Sequence, residues 1–112
     1  MTTEWDALPD NIKIFMTALD AHEDNRALAT FTAEAVVTDE GRDYTGRDEI
    51  RAWLTDSVND YTYTSEFTGA TTTDTGVDVG RHLEGNFPGG VADLHFRFTL
   101  DGALISRVVI EP

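Results

Sequence analysis

The pattern of apolar residues changes once along the chain, near Tyr61, and this change constrains the fold more than any other feature. Before it, apolar residues recur at helical spacing, as in Ile12, Phe15 and Leu19. After it, apolar and polar residues alternate, most clearly between residues 91 and 100. Helices followed by a run of strands are typical of an α+β domain, in which the helices cover one face of a sheet.

The same patterns give approximate element boundaries. Helices are predicted from Pro9 to about Leu19, from a cap at Asp24 or Asn25, and from Arg47 onward. A short strand at 35–37 is followed by a polar loop at 38–46. Four further strands are predicted at about 61–73, 77–86, 91–100 and 103–111. We therefore expect a curled antiparallel sheet packed against two to three N-terminal helices.

Length and composition limit the class of protein. The 112 residues suit one domain spanning 1–112, and the 40% hydrophobic content can form its core. The chain has no cysteine, which excludes disulfides and thiolate chemistry. It lacks a signal-peptide pattern at its start and any apolar run near the ~20 residues that span a bilayer, so a cytoplasmic protein without membrane contact is expected.

The charge balance limits the partners. Against 21 acidic residues there are only eight Lys and Arg, and the net charge is −13. Nucleic acids and anionic lipids bind through basic groups, so neither is an expected partner. Phosphate-binding loops, zinc patterns and Ser-His-Asp sets are also lacking, and we expect no cofactor.

Three stretches of sequence resemble the SnoaL-like, ketosteroid isomerase-like branch of the nuclear transport factor 2-like superfamily. They run from Phe31 to Asp39, from Gly46 to Trp53, and from Gly85 to Gly90, with Phe96-Arg97-Phe98 and Asp101-Gly102 following. The resemblance covers Leu8 to Pro112. It implies an α+β barrel-like cone around one apolar pocket, a small apolar ligand or substrate, and a homodimer.

Ketosteroid isomerases use a carboxylate after the first strand to shuttle a proton, and the resemblance implies that Asp39 occupies this position. The position of the oxyanion tyrosine is occupied by Phe15, and that of the oxyanion aspartate by Leu94. The supporting tyrosines are replaced by Phe31 and Leu54. None of these four side chains can donate a hydrogen bond, and one such donor is worth about 3 kcal/mol. Steroid isomerisation by that mechanism is therefore not expected.

Arg81 is the second candidate site residue. If it shares the apolar face of its strand with Val77, Val79 and Leu83, it points into the core. It would then stabilise an anion or pair with Asp39 across the mouth of one cavity. The alternatives are an arginine reaching water from a strand end and, for Asp39, an ordinary solvated loop carboxylate.

The candidate pocket residues share apolar bulk at core spacings, which plain packing also explains. They are Phe15, Leu19, Phe31, Trp53, Leu54, Val79, Leu94 and Phe96. Two functions remain open. One is a proton-transfer isomerase, cyclase or dehydratase acting on an apolar ring, with Asp39 as general base and Arg81 stabilising negative charge. The other is a non-catalytic ligand-binding or dimeric interaction module.

Two histidines lie on the polar face of the sheet. In the simplest hairpin register, His82 faces His95 and Glu84 lies near Asp93. Such a set could bind a divalent metal. Exposed strand positions or a dimer interface explain it as well, and a one-residue slip in register would dissolve it, so no metal site is expected.

A homodimer is predicted because the outer sheet face and the strand at 91–100 offer more apolar surface than a small monomer usually exposes. Light scattering at micromolar protein should therefore give twice the 12.4 kDa chain mass. A single species of the chain mass would contradict the prediction.

Overall fold

The computed structural model describes residues 2–58 and 61–112, and it confirms the α+β class. Its helices are α1 (Asp10–Asp20), α2 (Asp24–Leu28) and α3 (Gly46–Ala52), which a π-helical segment (Trp53–Val58) continues. A 3-10 turn (Trp5–Ala7) precedes α1. The strands are β1 (Thr2–Thr3), β2 (Phe31–Asp39), β3 (Arg42–Thr45), β4 (Tyr63–Thr72), β5 (Gly76–Gly85), β6 (Val91–Asp101) and β7 (Leu104–Glu111). No helix within the described ranges has the length and apolar content to cross a bilayer.

The strands form one curled sheet in the order β1-β4-β5-β6-β7-β2-β3. Every neighbouring pair is antiparallel except β2 and β7, which run parallel. A parallel pair needs a long connection, and here the 64 residues between Asp39 and Leu104 separate the two strands. The described sheet has free edges at β1 and β3, so the barrel expected from the resemblance is not closed.

Residues 38–46, expected to form a polar loop, contain a hairpin. Glu40 and Gly41 have φ angles of 54° and 74°, and Asp39 pairs with Arg42 on either side of them. Two positive φ angles in a two-residue loop are characteristic of a type I′ turn. Strand β2 is also longer than the predicted 35–37, because a shift in its register after Phe31 interrupts the alternation of buried residues.

The core lies between the helices and the concave face of the sheet. Phe15 of α1 is fully buried there. Its ring meets those of Phe31 and Phe98 edge-on, with centroid distances of 5.3 and 5.7 Å. This aromatic cluster fixes α1 to β2 and β6 at once, since edge-to-face pairs are a favoured arrangement.

The convex face carries paired polar and charged side chains. His82 contacts Asp93 at 2.6 Å, His95 contacts Asp78 at 2.8 Å, and Arg97 pairs with Glu111. The two histidines therefore do not face each other, and the register assumed for a metal set is wrong. In residues 2–58 and 61–112 no three metal-ligating side chains come together.

The difference in register arises in the turn between β5 and β6. The backbone N–H of Asn86 donates to the Thr62 carbonyl, and the N–H of Thr62 donates to the Asn86 side chain. These bonds draw Asn86 towards β4, so the hairpin closes through Gly85 and Gly90 instead. As a result, Asp93 lies opposite His82 and Gly80 lies opposite His95.

Replacing Phe15 by Ala should lower the free energy of unfolding by about 3–5 kcal/mol, because the change leaves a cavity among packed rings. Its neighbour Ile14 is 37% exposed and provides the control. Ile14→Ala should cost about 1 kcal/mol or less in the same urea titration. Equal losses in the two variants would contradict this assignment of the core.

Candidate functional site

A cavity of about 340 Å³ opens on the concave side of the sheet, where α1 ends. Its wall is mainly apolar and aromatic, with Leu19, Leu83, Phe87 and Ile110 among its members. Within the described residues, three charged side chains line it: Asp39, Glu40 and Arg81. Small-molecule sites commonly occupy about 300–1,000 Å³ and combine apolar walls with a few polar groups. The cavity therefore suits a ligand of one to a few rings.

Some of the residues selected from the sequence line this cavity together. They are Leu19, Asp39, Trp53, Arg81, Leu94 and Phe96. They come from α1, the end of β2, the π-helical segment and the neighbouring strands β5 and β6. Six of the ten site residues predicted from the sequence are thus brought to one place from five elements.

The other selected residues do not line the cavity. Phe15, Phe31, Leu54 and Val79 are at most 1% exposed and belong to the core behind its wall. Phe15 lies one helical turn before Leu19, and its contacts with Phe31 and Phe98 fill this end of the sheet. The cavity therefore begins only at the last turn of α1.

Asp39 is held at the end of β2 by the turn that follows it. Its Oδ2 accepts a hydrogen bond of 3.0 Å from Trp53 Nε1, and the Glu40 backbone N–H donates to the same carboxylate. Burial raises the pKa of Asp39 above its usual 3.8; the Trp53 bond lowers it and the Glu40 charge raises it again. The result is a partly desolvated carboxylate that is a stronger base than an exposed one.

Trp53 has a second role besides forming part of the wall. The side chain is 1% exposed, and Tyr44 of β3 packs beside it with a ring distance of 6.3 Å. Because its ring is fixed by this packing, its N–H holds the Asp39 carboxylate in one orientation.

Arg81 lies on the concave side of β5 and is 4% exposed. Its Nη2 is 2.6 Å from both carboxylate oxygens of Asp20, and its guanidinium lies over the Phe96 ring at 5.2 Å. Within the described residues Arg81 forms its ion pair with Asp20. The expected ion pair between Arg81 and Asp39 is not formed there. The reason is that α1 ends beside β5, where its last residue, Asp20, contacts the Arg81 guanidinium.

One nitrogen of Arg81 has no acceptor. Nη1 is buried, and it makes no hydrogen bond to any residue within 2–58 and 61–112. Leaving a buried donor unsatisfied costs about 1–3 kcal/mol, so such donors are rare in folded proteins. The geometry therefore provides one free donor on a side chain that lines the cavity.

Asp20 and Tyr63 were not identified as site residues from the sequence. Asp20 also accepts hydrogen bonds from Ser65 Oγ at 2.8 Å and Tyr63 OH at 3.4 Å. Burial and the Asp20 charge raise the pKa of Tyr63 to about 12, so its hydroxyl stays protonated. A carboxylate in the last turn of a helix opposes the helix dipole, and this was the one signal in the sequence that Asp20 needs a cation.

The folded-state pKa of Asp39 lies above 3.8, so folding favours the protonated form. The stability that this group contributes is therefore present below the unfolded pKa and is lost as the pH rises through the folded pKa. Asp39→Asn lacks this dependence. Its free energy of unfolding, minus that of the wild type, should increase as the pH rises from about 4 towards neutrality.

A second measurement follows the carboxyl carbon of Asp39 by NMR. In the wild type its chemical shift should report a pKa above 3.8 for Asp39. In Trp53→Phe the pKa should be higher still, because the hydrogen bond from Nε1 that lowers it is removed. An unchanged midpoint in Trp53→Phe would show that this bond does not act on the carboxylate.

No family model matches the chain, and neither does any curated protein. Solved structures do. A protein from Sinorhizobium meliloti, provisionally assigned as a polyketide cyclase, is 27% identical, with a TM-score of 0.90 over 97% of this chain and 100% of that one.

Two further structures contain small molecules. A Catenulispora acidiphila protein with a ketosteroid isomerase-like fold, in complex with trimethylamine, is 17% identical, with a TM-score of 0.82 over 95% of this chain and 87% of that one. A Mycobacterium tuberculosis protein in complex with estradiol-17β-hemisuccinate is 14% identical, with a TM-score of 0.77 over 91% and 90%. The chain thus has the ketosteroid isomerase-like fold over nearly its whole length.

Proposed function

We propose that the cavity binds a small, largely apolar ring compound and that Asp39 moves a proton on it, as in an isomerase, cyclase or dehydratase. The observation that carries the proposal is a mainly apolar cavity of about 340 Å³ containing a carboxylate whose pKa is raised by burial. Enzymes that use a carboxylate as general base commonly raise its pKa in this way.

The proton transfer involves two side chains of the cavity wall. Asp39 removes a proton from a carbon next to a carbonyl group, and the electron pair moves towards the carbonyl oxygen. The free N–H groups of Arg81 Nη1 offer hydrogen bonds to that oxygen as its negative charge develops. Asp39 then returns the proton to the same or another carbon, so the base is regenerated.

The solved structures support the choice of ligand class. Estradiol-17β-hemisuccinate and trimethylamine are small molecules, and both occur with proteins of this fold. The Sinorhizobium meliloti protein, provisionally a polyketide cyclase, supports a role in ring chemistry. A fold alone does not fix a function, so the proposal rests chiefly on the cavity and its carboxylate.

A binding module without catalysis is the second candidate, and the pairing of Arg81 favours it. Asp20 already neutralises this guanidinium. Oxyanion stabilisation would then depend mainly on one nitrogen, because Phe15 is buried away from the cavity and Leu94 has no donor. Such a cavity could hold a ligand without accelerating its reaction.

The homodimer and the cytoplasmic location stay predictions from the sequence. One ground for the dimer is weakened, because paired polar and charged side chains lie on the convex face. Large exposed apolar side chains in the described ranges are limited to Ile14, Val91 and Leu104.

The bicyclic ketone 2-tetralone provides a test, since its α-protons exchange with solvent when a base removes them. Proton NMR in D₂O should show faster exchange with the wild type than in buffer. Asp39→Asn should lower the enzymatic rate about 100-fold or more. Asp43→Asn is the matched control, because Asp43 is exposed on the same hairpin and bonds to Thr38 away from the cavity.

The outcomes separate the two functions. Saturable binding of 2-tetralone without faster exchange would establish the binding module. Exchange that survives in Asp39→Asn would remove Asp39 from the mechanism, and the absence of any binding would contradict both candidates.

A further inference from the structure

We propose that Asp20 determines the charge class of the ligand. By neutralising Arg81, it makes the part of the cavity that Arg81 lines a site for a neutral carbonyl oxygen and excludes carboxylates. This inference rests on the proposed ligand-binding function of the cavity, but it concerns a residue at the end of α1 to which that function assigns no role.

The geometry divides the guanidinium into two parts. Nη2 faces both oxygens of Asp20 at 2.6 Å, so the positive charge of Arg81 is already compensated. Nη1 is buried and has no acceptor within the described ranges. The pair as a whole therefore presents a hydrogen-bond donor without a net charge, which suits an uncharged acceptor.

The other charges of the cavity act in the same direction. Asp39 and Glu40 also line it, and Arg81 is the only cationic side chain of the described chain that does so. A ligand carboxylate would meet these negative groups in a partly buried space, where charges are weakly screened. A ketone oxygen accepts the same hydrogen bond without this repulsion.

The ion pair is held in place from both sides. Ser65 Oγ and Tyr63 OH also donate to Asp20, at 2.8 and 3.4 Å. On the other side, the guanidinium lies over the Phe96 ring. Arg81 is 96% buried by the same packing, since its exposed fraction is 4%. A ligand carboxylate would thus have to compete with a carboxylate that three side chains already bind.

Three probes with the same ring skeleton test the inference: tetralin, 2-tetralone and 1,2,3,4-tetrahydro-2-naphthoate. They differ only in carrying no oxygen, a neutral ketone or a carboxylate. NMR titration of the wild type should give 2-tetralone an affinity about tenfold or more above that of tetralin, because the ketone oxygen satisfies a buried donor that otherwise has no acceptor. The carboxylate should bind more weakly than the ketone.

Two variants separate the roles of the partners. Arg81→Met keeps the unbranched side-chain stem and removes the donor, so the preference for 2-tetralone over tetralin should disappear. Asp20→Asn leaves the cation uncompensated, so the affinity for the carboxylate should rise about tenfold or more. Glu84→Gln, on the exposed face of the same strand, is the control and should leave all three affinities unchanged.

Each result decides the inference. Equal binding of tetralin and 2-tetralone by the wild type would show that Nη1 is not used, while ligand binding by the cavity would stand. A wild type that prefers the carboxylate, or an Asp20→Asn variant in which the carboxylate gains nothing, would overturn the role of Asp20. A wild type that binds none of the probes would refute the proposed function itself.

Discussion

The parallel pairing of β2 with β7 is the interaction on which the rest of the molecule depends. It joins the last strand to the segment that follows the first two helices. In its register Asp39 lies beside Ile110, and both line the cavity. Without this ladder, backbone hydrogen bonds would not tie β2 and β3 to the other strands of the described sheet. The Asp39 carboxylate would then have no fixed position in the cavity on the concave side of the sheet.

The sequence predicted those parts of the fold that depend on local periodicity. The alternation in β6 and β5 identified both strands to within a residue at either end, and it also showed which side of β5 carries Arg81. The helical spacing of Ile12, Phe15 and Leu19 likewise located α1. Burial on one face imposes a period of 2 or 3.6 residues on the chain, and that period can be read directly.

What the sequence did not predict depends on contacts between distant residues. Asp20 and Arg81 are 61 residues apart, and no local pattern specifies that they meet. The β5–β6 register depends on bonds between Asn86 and Thr62 in a different strand. The hairpin at Asp39 was missed for another reason: its second strand, Arg42–Thr45, is largely exposed and so has little apolar pattern. Phe15 and Phe31 were assigned to the pocket because core and pocket residues have the same composition.

The open sheet has a consequence for association with other chains. An unpaired strand edge offers backbone N–H and C=O groups on which a further strand can assemble into fibrils. Here the outermost strands of the described sheet are β1, with two residues, and β3, with four. Arg42 and Asp43 also place charged side chains along the second of these edges. On the other side of the sheet, β1 pairs only with Ala70 and Thr71, so the edge of β4 from Tyr63 to Phe67 has no neighbouring strand in the described sheet. A register shift between Phe67 and Gly69 interrupts that edge, and such an irregularity discourages a further strand from pairing with it.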